Sequence, residues 1–201
     1  TLTPGSNNLT IVVKFINSLT YTLVTNTTTF YVTTTLSSGA TSFYHVSVSG
    51  TLTLSGVDIN VAGIWTKAGT FTHGNRKVTF NGSTGSTQTI GAGASTKTTF
   101  YDLAVSGTDN KTADADIDLT NIFSVADAST ATFDADGSGS DVFTLLSTSA
   151  RTAQIGDLGS YTFSGSVTLQ RNITGKSDYR MISCPITGSK TLNDWFDDFT
   201  M

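Results

Sequence analysis

The sequence has no glutamate, one cysteine, two prolines and few charges. All 15 acidic residues are aspartate, and Lys and Arg together number 11. A chain this poor in Glu, Lys and Arg lacks most of the residues that favour a helix interior, which excludes a helical bundle and argues against a nucleotide-binding α/β domain. Charged residues make up 13%, about half the usual globular share. The net charge is −4 and the basic residues are scattered singly, so there is no electropositive track for phosphates and nucleic acid is disfavoured as a partner. Cys184 stands alone, so no intrachain disulfide can form. No apolar run approaches the roughly 18 residues of a membrane helix; the Thr-rich stretch 19–36 alternates instead.

Threonine and serine take the place of what is missing. They number 39 and 24 among 201 residues, nearly a third of the chain. Threonine is β-branched and fits a pleated, half-buried surface, while 19 glycines supply tight turns. Alternation is the main local pattern: Tyr44, Val46 and Val48 share one strand face, then Leu52 and Leu54, Ile59 and Val61, Val78 and Phe80, Leu103 and Val105, Ile117 and Leu119, Phe143 and Leu145, and Val167 and Leu169. Strands of four to six residues recur every eight to twelve, and only 190–199 suits a short helical turn.

An internal repeat accompanies the alternation. Residues 43–50 (FYHVSVSG) match 100–107 (YDLAVSG after Phe100) at an offset of 57, and 58–65 match 116–123 at 58. A unit just under 60 residues suits two or three rungs of about 20 to 25 residues each. The fold expected is all-β, a repetitive β-solenoid of the parallel β-helix kind, with a β-sandwich as the alternative. The chain divides into a Thr-rich segment 1–40, a repeat region 41–165 and a C-terminal segment 166–201. Both ends read as cut from something longer.

Phe80-Asn81-Gly82-Ser83, Gln88-Thr89-Ile90-Gly91 and Thr99-Phe100-Tyr101-Asp102-Leu103-Ala104-Val105 follow one another in an order that resembles repeat units of very large secreted proteins from Bacteroidetes. Gly165–Ile173 followed by Tyr179–Ile186 is similar to the segment that often follows those repeats, with Cys184 where Ser or Ala is expected. The resemblance implies an extracellular or cell-surface location, export by the type IX secretion machinery, other surface components as partners, and no shared catalytic residues. The expectation is a structural or adhesive segment without enzymatic activity; the alternative is a carbohydrate-binding or polysaccharide-acting β-helix module with a glycan ligand.

Several residues invite chemical readings. Asp134, Asp136 and Asp141 cluster oxygen donors among glycines, a partial match to a calcium loop that lacks the terminal Glu of an EF-hand. Asp114, Asp116 and Asp118 alternate and would share one strand face, with Lys111 the only nearby base; a solvated outer face is the plainer explanation. His45 and His73 lie in strand and turn contexts, and abundant Ser and Asp make any paper triad uninformative. Trp65, Trp195, Phe196 and Phe199 could stack on a sugar, but Trp65 aligns with Phe123 in the repeat, which favours the core. Arg171, Lys176 and Arg180 surround Asp178 as an ion-paired cluster, and Cys184 reads as a buried inert thiol. Asn8, Asn26, Asn81, Asn110 and Asn172 head N-x-Ser/Thr sequons.

Overall fold

The structure, a computed structural model, describes residues 9–11, 21–22, 26–38, 41–93, 95–126, 131–137 and 139–172. These residues form twenty strands and no helix. Strands pair in parallel with their equivalents one turn away, giving a β-solenoid of about seven turns. The solenoid expected from the sequence is therefore the fold, and the sandwich is not. The only antiparallel element among the described residues is a single bridge, Ser147 to Thr152, in a loop outside the rungs.

Each rung runs over three faces. The first face stacks Leu9–Ile11, Thr27–Phe30, His45–Val48, Trp65–Lys67, Gln88–Ile90, Lys111–Ala113, Thr132–Asp134 and Thr162–Ser164. The second begins with Thr34–Leu36, Thr51–Leu54 and Thr70–Thr72, and the third with Tyr21–Thr22, Thr41–Phe43, Ile59–Val61 and Lys77–Phe80. The two long strands Thr98–Val105 and Ile117–Val125 then turn the corner between the second and third faces without a break in pairing sheet. Their register shifts between Phe100 and Asp102. Before that point Thr98–Phe100 pairs with Ile117–Leu119, which pairs with Phe143–Leu145 and so on to Val167–Leu169. Beyond it Asp102–Val105 pairs with Lys77–Phe80 behind and Ile122–Val125 ahead. The strand Thr98–Val105 lies beside Thr70–Thr72, so the second face continues across this change.

Alternation builds the core. Thr28, Val46, Trp65, Ile90 and Ala113 stand in one register column of the first face, at steps of 18, 19, 25 and 23 residues. On the third face Ile59, Val78, Leu103 and Phe123 form another column, all fully buried. Aromatic rings concentrate in two groups. Trp65 meets Phe71, Phe80 and Phe100 at 5.0, 6.2 and 5.7 Å, and Phe123, Phe133, Phe143 and Phe163 pack together further along. Edge-to-face pairs of this kind add about 1 kcal/mol each beyond area burial.

The matching sequence blocks do not occupy equivalent places. His45–Val48 lies on the first face, whereas its counterpart Asp102–Val105 lies on the third. Ile59–Val61 is on the third face and Ile117–Leu119 continues the second. The same alternating phrase serves different faces because each face asks only for inward apolar and outward polar residues.

Candidate functional surface

Three places in the described residues gather side chains with chemistry: a polar corner inside the solenoid, a row of staples along its edges, and the outer faces.

The polar corner is built where the first face should be apolar. Gln88 and Lys111 are register mates there, 2% and 0% exposed. Gln88 Nε2 donates to the Val61 and Gly63 carbonyls, both at 2.7 Å, and its Oε1 accepts from the Gly82 N–H at 2.9 Å. Lys111 Nζ donates to the Asp109 carbonyl at 2.6 Å and to the Gly82 carbonyl at 3.3 Å, beneath the Tyr161 ring. The Asp109 carboxylate accepts from the Thr84 N–H, the Thr84 hydroxyl and the Gly85 N–H at 2.7–3.0 Å. Burial alone would raise the pKa of Asp109; the bonds from Thr84 and Gly85, aided by the Lys111 charge, outweigh it and hold the carboxyl below its ordinary value. Anchored on buried Gln88, Asp109 and Lys111, this network fixes the exposed 81–87 loop as a corner.

The staples follow one rule. A residue just outside a strand accepts the N–H of its register mate on the next rung: Asp58 from Lys77, Asp116 from Val142, Asn110 from Thr132 and Asp136 from Ser166, all at 2.9–3.0 Å, and His45 Nδ1 from Ile64 at 2.7 Å. Burial pushes the His45 pKa down, and that of His73 likewise, with Asp102 partly opposing the shift in His73. Neutral imidazole is the form that can accept these bonds.

Outside, the third face and its corner carry a braced cluster. The Arg151 guanidinium sits 4.8 Å over the Tyr101 ring, and the His73 ring lies 5.7 Å from Tyr101. Asn121 donates to Asp102 at 2.5 Å on the adjoining rung. The second face is different. Thr33, Thr35, Thr51, Thr53, Thr70 and Thr72 project from three successive rungs between buried Thr34, Leu36, Leu52 and Leu54 and half-buried Phe71. None of the six hydroxyls bonds to the protein, whereas outward Thr66 and Thr120 donate to the carbonyls of the rung behind.

The residues singled out from the sequence fall as follows. Asp134 lies in a first-face strand, Asp136 is used as a staple, and Asp141 follows the turn after it. Among the described residues no group of three or more His, Cys, Asp or Glu is arranged to hold a metal ion. Asp116 is a staple, Asp118 pairs with Lys97 at 2.9 Å, and Asp114 is exposed. Lys111, considered as a base beside these carboxylates, is instead wholly buried in the polar corner. Trp65 is fully buried, and Asn26 is 3% exposed. Trp195, Phe196, Phe199, Lys176, Asp178, Arg180 and Cys184 lie outside the described residues. Gln88 entered the sequence reading only as part of a repeat motif, and Asp109 and Tyr161 not at all; the available signal was a lysine at an inward position of Lys111-Thr112-Ala113, which demanded partners. No family model, curated protein or solved structure matches the chain.

Proposed function

We propose that the chain is a structural or adhesive rod segment of a large secreted protein on a bacterial cell surface, a cargo of the type IX secretion machinery, and that it performs no catalysis. The observation that carries this reading is the stacking of about seven turns around one apolar core. Each rung uses about 20 residues to rise ~4.8 Å along the axis, an arrangement that gives stiffness and reach. The outer residues are short and mostly uncharged, as suits a solvated shaft. Export and location rest on the resemblance of residues 80–105 and of the segment from Gly165 onward to secreted Bacteroidetes repeats.

The carbohydrate-binding alternative has less behind it. Trp65 packs into the core, and the Tyr101 ring is already covered by Arg151. The test is labelling of intact source cells with antibody to the folded chain, together with the native mass of the labelled polypeptide. Labelled intact cells and a polypeptide far heavier than 21.1 kDa are expected. A band near that mass, reached by antibody only after lysis, would overturn the reading.

A further inference from the structure

The six unbonded threonines of the second face form a two-dimensional lattice. Thr51 pairs in register with Thr70, and Thr35 with Thr53 and then Thr72. Thr33 precedes Thr34, the register mate of Leu52, and so stands in the Thr51 column. Two columns of three hydroxyls result, spaced ~4.8 Å along the axis and ~6.6 Å across it. The β-branch stiffens χ1, so each side chain presents one methyl and one hydroxyl with little freedom to lose. The inward neighbours Leu36, Leu52 and Leu54 are fully buried, which holds the strands beneath the lattice in place.

The chemistry of the lattice narrows its partner. Its two columns contain no charge, so they have no ionic ligand to attract; no aromatic ring, exposed Tyr31 standing at the corner before Thr33 and outside both columns; and no large apolar side chain to anchor a protein partner. What it offers is a rigid array of hydroxyls, each beside a methyl group, all lacking protein partners. Oxygen atoms on the prism faces of ice form a similar rectangular array, with one repeat close to the rung spacing and the other somewhat longer than the column spacing. From this match we propose that the second face binds ice, with the threonine hydroxyls taking lattice positions and the methyls holding ordered water between the columns. The proposal goes beyond the rod reading and does not depend on it.

The test uses the full chain and ice itself. Thermal hysteresis, crystal shaping and partition into a slowly growing ice front are measured for the wild type, Thr53→Lys, Thr72→Lys and Ser47→Lys. Thr53 lies at the centre of the lattice, Thr72 is exposed at its edge, and Ser47 faces outward on the first face of the same rung as Thr53. The wild type and Ser47→Lys are expected to shape ice and enter it, while both lattice variants keep the wild-type circular dichroism and fall to the level of an unrelated folded protein. Thr72→Lys keeps the test sound if Thr53→Lys misfolds. A wild type that neither shapes nor enters ice overturns the proposal, as does full activity in a folded lattice variant. Retention on microcrystalline cellulose or chitin that is lost in Thr72→Lys, with no effect on ice, overturns it in favour of a crystalline polysaccharide.

Discussion

Asp116 Oδ1 reaches the Val142 N–H one rung away, and Asp58 reaches Lys77 in the same way. The step between rungs suits a carboxylate one carbon beyond Cβ; an added methylene carries the oxygens past the N–H. This accounts for aspartate at positions 58, 116 and 136. Asp116→Asn is therefore expected to keep near wild-type stability, while Asp116→Glu loses about 1 kcal/mol despite the same charge, read by urea unfolding. Asp109 matters more because it is buried with three donors and Lys111 beside it. Asp109→Ala is expected to cost about 2 kcal/mol, since it removes three hydrogen bonds to the carboxylate and the negative charge beside buried Lys111. The histidines give a pH dependence of definite sign. His45 and His73 are held below the ordinary 6.5, so the unfolded chain binds more protons. Their contribution is complete above that value and declines as pH falls through it toward the lower folded values. Urea midpoints should drop between about pH 8 and about pH 5, and His45→Asn, which keeps a short acceptor, should flatten the drop.

A rung holds together at its corners, and there the backbone comes closest to the next rung. A Cβ on Gly69 would lie 2.0 Å from the Gly50 carbonyl oxygen, and one on Gly50 2.5 Å from that of Tyr31. Gly69→Ala is expected to cost about 3 kcal/mol by displacing backbone against backbone. Gly85 has φ +83° and open space around its Cβ position, so Gly85→Ala should cost only about 1 kcal/mol of conformational strain. These elements were partly legible in the sequence. Val46, Val48, Leu52, Leu54, Ile59 and Val61 alternate as strands do, and all are buried. The faces were not legible, because residues 45–48 and 102–105 carry the same pattern into different faces. The bend after Phe100 left one sign in the sequence: Phe100 is out of phase with Leu103 and Val105, so no single straight strand turns all three inward. Gln88 and Lys111 broke the apolar pattern of their column, and only their partners on neighbouring rungs explain them.

For the whole molecule, stability comes from like rungs stacked on one core, so the natural unit of change is the rung. Val46 is the register mate of Trp65, and removing residues 46–64 takes out one complete rung of 19 residues. The aromatic group of Trp65, Phe71, Phe80 and Phe100 survives that deletion intact. A deletion of about half that length leaves one rung too short to go round all three faces, so the rungs on either side of it lose part of their pairing. The most direct measurement is equilibrium unfolding, with far-UV circular dichroism, of these two deletions beside the wild type. The one-rung deletion is expected to remain β-structured and to unfold cooperatively at somewhat lower denaturant, and the half-rung deletion to lose clearly more structure and stability than it. Equal loss of structure in both deletions, or a half-rung deletion as stable as the whole-rung one, would contradict that expectation.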